Sequence, residues 1–308
     1  MEKNGPKTEE AWEVSKMSET TTDSIHERMI QRGGIRAELR AANALAIKQW
    51  RVEFSYPLSV LYFIVMPFLW FLPMFLAGTA VAGSPTSSVF ETYTGTTDWV
   101  TFIAIGSAFS GLTMSLFWGT GMAFRREQSV GTLETLMTTP MRRDTLVWGT
   151  MLHNVQHGGL GVILQLAFSV LFFGVTLNLW GILPALGIVA LAVIGMQGIV
   201  FAMTCIVLLA KQGWMIIEVI SEVFLILAPI SYPIAVLPPI LQFVSLGSPL
   251  TWSVDAFRSF LMYGLATPAV IQAIVALVII DVIFIAVGSL MFRYTERYVR
   301  SKGALEQF

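Results

Sequence analysis

Six stretches of this chain stay apolar for about the thickness of a bilayer: roughly residues 57–78, 98–123, 147–174, 181–209, 214–233 and 269–292. A helix needs about 20 such residues to cross the hydrocarbon core. Inside lipid, every backbone N–H and C=O must be satisfied within a helix or a closed barrel. None of the six alternates apolar and polar residues as a barrel strand does. The expected fold class is therefore an all-α integral membrane protein with six transmembrane helices. Charged residues are 13% of the chain, against about 25% in a soluble domain, which excludes a soluble globule. A net charge of -1 points to no nucleic-acid partner. The one cysteine, Cys205, lies in an apolar run. It excludes an intrachain disulfide framework and a multi-cysteine metal site.

The basic residues orient the spans. If six spans alternate, 18 of the 19 Lys and Arg residues fall on one side, with only Arg258 opposite. By the positive-inside rule that side is cytoplasmic and holds both termini. Residues 1–34 are polar and of mixed charge, with no apolar core of a signal peptide, and read as a disordered cytoplasmic tail. Residues 35–53 read as an amphipathic helix. Ile35, Leu39, Ala42, Ala46 and Trp50 form its stripe, with Arg36, Arg40, Asn43 and Arg51 off it. A basic helix of this kind just before a span is expected to lie in the membrane interface. The transmembrane domain then covers 54–296, followed by a cytoplasmic tail over 297–308. Residues 234–268 are apolar but broken by prolines. They predict short re-entrant or surface-lying helices on the outer side before the last span, where protein or a water-filled cavity must cover the backbone.

The densest internal charge cluster is "RREQSVGTLETLMTTPMRR" at 125–143. Gly131 can open a turn, and Pro140 discourages helix at Thr139. Between them Leu133, Leu136 and Met137 share one face of a short helix, and Thr132, Glu134, Thr135 and Thr138 take the rest. So short a helix is not stable alone and needs a surface to lie on. Its apolar face suits a groove on a partner. The plainer reading, a positive-inside loop that binds nothing, stands beside it.

Polar residues within spans are candidates for function, because a central acid costs about 2.5–3.5 kcal/mol on insertion scales. Glu218 and Glu222 share one face of the fifth span, Asp281 sits in the sixth, and His153 and His157 lie one turn apart in the third. They would line a polar translocation path, or serve as interhelical hydrogen bonds such as glutamate to histidine. The histidine pair lacks the cysteine or glutamate companions of a zinc motif, so no metal site is expected. Asp255 and Arg258, three apart in the outer segment, can pair on one helix face. No phosphate-binding G-x-x-x-x-G-K-[ST] motif, G-x-S-x-G or H-E-x-x-H occurs, so the chain reads as a transport protein and not an enzyme.

Two motifs carry a family resemblance. Arg126, Glu127, Gly131, Thr132, Leu133, Glu134, Leu136, Thr139 and Pro140 match an R-E-x-x-x-G-T-L-E-x-L-x-x-T-P pattern after the second span. Pro229, Pro233, Leu237, Pro238, Pro249, Leu250 and Arg258 follow the order of a second, late motif. With six spans and an interfacial helix, residues 35–300 resemble the type-2 ABC-transporter permeases. The resemblance implies the permease subunit of an ATP-driven exporter in the plasma or inner membrane, paired with a second permease half, identical or homologous. It also implies that the 125–143 loop docks on a separate ATPase subunit. ATP and magnesium would then belong to that partner, with no cofactor in this chain. An ion-coupled secondary transporter using Glu218, Glu222 and Asp281 is the competing reading.

Overall fold

The computed structural model of the protein describes residues 34–139, 141–209, 213–264 and 267–302. Most of the expected N-terminal tail, Pro140, the turn holding Lys211 and the last residues of the C-terminal tail lie outside them. A helix, α1, covers 34–54. Tyr56 is extended, as a residue before proline prefers, and Pro57 opens α2 (Pro57–Ala82). A short α3 (Ser88–Thr94) follows, its first turn capped by the Ser87 hydroxyl. Asp98 caps α4 (Trp99–Met114) by accepting from the Thr101 N–H at 2.9 Å. The helix then loosens into a π-helical turn, Ser115–Thr120. Next come α5 (Ala123–Val130), α6 (Leu133–Met137), α7 (Arg143–Phe173), α8 (Ile182–Leu209) and α9 (Gly213–Leu227). The outer segment forms α10 (Pro239–Leu246) and α11 (Pro249–Tyr263), and α12 (Pro268–Lys302) closes the chain.

Five helical stretches among the described residues are long and apolar enough to cross a membrane: Pro57–Ala82, Trp99–Thr120, Asp144–Phe173, Leu179–Val207 and Pro268–Thr295. The remaining expected span, 214–233, differs. There α9 has 15 residues and stops at Leu227. At 1.5 Å per residue it reaches roughly 22 Å, short of a hydrocarbon core of about 30 Å. Pro229 supplies no N–H and disfavours helix at Ala228, so the chain leaves the helix there. The 234–268 segment does form the short helices its prolines predict, with Pro238 as the N-cap of α10 and Pro249 as the first residue of α11.

Most of the packing lies between α8 and α12, between α4 and α7, and where α11 sits against α8 and α12. At the α8–α12 crossing, a Cβ on Gly288 would run into the Gly198 backbone. The helices approach this closely only because both residues are glycine. The main core joins Phe109, Leu112, Phe117, Met196, Met203, Ile217 and Leu250. By contrast, α2 buries only Phe71 and exposes Leu58, Leu61, Leu69, Trp70 and Leu76, as a helix facing lipid does.

Candidate functional site

The 125–143 loop is a built structure. Gly131 ends α5 at φ +76, and its N–H closes on the Gln128 carbonyl at 3.0 Å. This left-handed conformation is cheap only for glycine. The turn brings the Thr132 N–H to the Glu127 carbonyl at 2.9 Å and starts α6. Glu127 is buried and is the centre of the turn. Its carboxylate accepts from Lys48 Nζ at 2.6 and 2.7 Å, one contact to each oxygen, and from the Thr132 hydroxyl. Arg126 Nη1 donates to Gln49 Oε1 at 3.3 Å, and Gln49 in turn donates to the Thr150 hydroxyl at 3.2 Å. Glu38 of α1 accepts from the Arg142 N–H at 3.3 Å and from the Thr145 hydroxyl. Thus α1 straps the loop at both ends.

Two residues of the apolar face of α6, Leu133 and Leu136, are half-buried against the protein itself. Leu133 and Leu136 pack, with Met141, onto a buried cluster of Leu45, Phe124, Leu146, Val147, Phe201, Cys205 and Phe292. A face of that polarity beside an apolar floor of its own chain buries itself there first. Among the residues the loop shows to solvent are Arg126, Ser129, Val130, Gly131, Glu134, Thr135, Thr138 and Arg142. Leu133 and Leu136, expected to fill a partner's groove, are thus also in contact with an apolar floor of their own chain. Met137 lies on α6, and Pro140 lies outside the described residues.

The stripe expected along α1 is also only partly used. Ala42 and Ala46 are buried, but Ile35 and Leu39 are exposed, and the packed face continues through Leu45 and Gln49. At the end of α1, Glu53 takes both histidines, His157 Nε2 at 2.9 Å and His153 Nε2 at 3.4 Å. Burial raises the Glu53 carboxyl. The hydrogen bond from His157 and the charges of His157, His153 and Arg126 outweigh it and hold it below the ordinary carboxylate value. Trp50 lies edge-on to His153 at 4.8 Å between centroids and donates to Gln156 Oε1 at 2.8 Å. The histidines therefore fasten α1 to α7. Their glutamate partner is Glu53, not Glu218 or Glu222.

The three acids expected within spans do not form one cluster. Glu218 and Glu222 lie on the exposed face of α9 with Trp214, Met215, Val219 and Val223. Asp281 is buried on α12 beside Gly195 of α8, and no described residue hydrogen-bonds to it. At the far end of the molecule, Arg258 is buried and ties three segments together. It donates to the carbonyls of Phe102 at 3.2 Å, Pro229 at 2.6 Å and Ile230 at 3.0 Å, and it meets Asp255 at 3.4 Å. Its guanidinium lies 3.4 Å from the centre of the Phe102 ring. The pairing with Asp255 expected from the spacing is present, and the carbonyl contacts explain why arginine, with its fork of donors, stands there.

Lys48, Gln49, Glu38 and Glu53 carry this site but were not singled out by any motif. Lys48 and Glu127 are 79 residues apart, and nothing local pairs them.

The ordered turn, its Gly131 pivot and the Arg258 clamp stand where the two sequence motifs placed them. The family model described as ABC-2 type transporter matches residues 43–262, from within α1 to within α11. The chain belongs to this family. As an ABC-2 type membrane protein it is a transport permease, which accounts for its long apolar helices. No curated protein matches the chain as a relative.

Proposed function

We propose that this ABC-2 type permease is the membrane half of an ATP-driven exporter in the cell membrane, and that α6 receives the stroke of a separate ATPase subunit. The observation that carries the reading is the way α6 is held. Its apolar side is fixed to residues of α1, α7, α8 and α12, while its polar side faces out. A push on Glu134, Thr135 and Thr138 then reaches four helices through a packed floor that cannot compress easily. Arg126, Glu127, Gly131 and Thr132 hold the lever to α1. Leu133 and Leu136 weld it to the floor.

In this reading both termini are cytoplasmic, and α9 with the irregular chain after it completes a sixth crossing. Two acids facing lipid on α9 would each cost about 2.5–3.5 kcal/mol. Glu218 and Glu222 therefore face water or a second permease half, and their stripe borders the translocation path. Asp281, inside the protomer, stands apart from it. ATP and magnesium bind on the partner.

The test is co-purification and ATP turnover. The tagged parent is expected to retain an ATP-hydrolysing subunit. Glu134→Lys and Thr135→Trp, on the outward face, are expected to lose that subunit while the permease keeps its melting temperature. Leu136→Asp is expected to lower the melting temperature itself, because it buries a charge in the permease's own floor. A parent that retains no ATPase, or outward-face variants that retain it fully, would sink the reading.

A further inference from the structure

A cavity of about 440 Å³ opens where the segment around Thr94 and Thr96, α11 and the start of α12 meet. That is the size of a small-ligand site, and its mixture of apolar walls with a few polar groups is the usual lining of one. It lies at the opposite end of α12 from the loop floor. Val270 and Ala273 line it, whereas Phe292 packs beneath α6, roughly 30 Å further along the helix at 1.5 Å per residue.

Two charged residues line the cavity, and only one has anything left to offer. Arg258 gives its Nε and Nη2 donors to the Phe102, Pro229 and Ile230 carbonyls and lays its face on the Phe102 ring. Asp255 is reached only by Arg258 Nη1, through Oδ1 at a long 3.4 Å, and its side chain is 42% exposed. Among the described residues nothing donates to its Oδ2. The indole N–H of Trp252 is taken by the Leu246 carbonyl at 2.8 Å, so that side chain offers only its ring. Tyr263 adds a second aromatic ring at the wall. An anion entering here would meet a carboxylate and no uncommitted cation. A cation would meet a carboxylate oxygen and aromatic rings, the pairing that recognises ammonium groups.

We propose that this cavity binds the ammonium group of an organic amine, with Asp255 as its counter-ion and Trp252 and Tyr263 beside it. Two sources share that chemistry. One is an aminophospholipid headgroup, whose chains can follow the exposed Ile271 and Val275 side of α12. The other is a free organic cation from the water. The site does not depend on ATPase coupling, since its occupancy is an equilibrium property that needs no ATP.

The test uses the full chain in nanodiscs of phosphatidylglycerol. One arm adds phosphatidylethanolamine and counts retained copies by native mass spectrometry. The other adds tetraethylammonium and follows the thermal unfolding midpoint. Saturable binding is expected in at least one arm. A response to the lipid alone identifies a headgroup, a response to tetraethylammonium alone identifies a soluble cation, and a response to both identifies the ammonium group itself. Asp255→Asn is expected to weaken binding about tenfold or more, the scale of one lost ionic contact. Ala269→Trp is expected to abolish it by filling the cavity without touching the carboxylate. If Asp255→Asn does not fold, Ala269→Trp decides alone. No saturable binding to the parent, or parent-like binding by either folded variant, overturns the proposal.

Discussion

Replacing Lys48 by Met strands a carboxylate. The Glu127 side chain is 5% exposed and is held by Lys48 at 2.6 Å and by the Thr132 hydroxyl. Removing one partner of a buried ion pair costs about 3–5 kcal/mol. Lys48 is itself 39% exposed, so water enters the space it leaves, and screening lowers the loss to about 2 kcal/mol. That is about a 30-fold change in the local opening equilibrium of the turn. Hydrogen exchange reads it directly. The Thr132 and Leu136 amides donate to the Glu127 and Thr132 carbonyls at 2.9 and 3.0 Å. In Lys48→Met both are expected to exchange about 30-fold faster, while amides in the α8–α12 core keep their rates. The double variant Lys48→Met/Glu127→Leu is expected to recover most of the protection, because no buried charge is left alone. Parent-like exchange in the single variant would show that the pair does not hold the turn. Exchange in the double as fast as in the single would show that Glu127 is not the stranded group.

Two further outcomes follow from the geometry. Arg258→Lys keeps the charge but cannot reach the Phe102, Pro229 and Ile230 carbonyls together. It is expected to cost about 2–3 kcal/mol, read as a lower melting temperature in detergent, and an unchanged midpoint would mean that those carbonyls need no arginine. The Glu53 carboxyl is held below its ordinary value of 4.5. Its contribution to holding α1 is therefore complete above about pH 4.5 and is lost as pH falls through the lower folded value. Exchange of the α1 amides near Trp50 is expected to stay level down to that point and rise below it, and Glu53→Gln is expected to raise it already at neutral pH. No rise in exchange of the parent's α1 amides as pH falls below about 4.5 would rule out the carboxylate as its anchor.

The membrane class was legible in the sequence because it follows from run length alone. A backbone in lipid must bond to itself, and only helices of bilayer length do that with residues such as those at 57–78 or 269–292. Other local features were legible for similarly local reasons. Gly131 is where a left-handed turn is cheap, Asp255 and Arg258 are three apart on one helix, and the prolines at 238 and 249 begin new helices. The direction of the α6 face was not legible. The spacing of Leu133 and Leu136 creates an apolar side, but only the neighbouring helices decide what covers it, and the cluster around Leu146, Phe201 and Phe292 covers it from within. Nor does a sequence tell which glutamate two histidines will meet, since that depends on α1 lying against α7 and not on spacing along either helix. The same holds for Lys48 and Glu127, and for Arg258, whose three carbonyl partners come from two other segments of the chain. Periodicity determines which residues share a face. Only packing between distant segments determines what that face touches, and at this site those long-range contacts connect the loop to the rest of the protein.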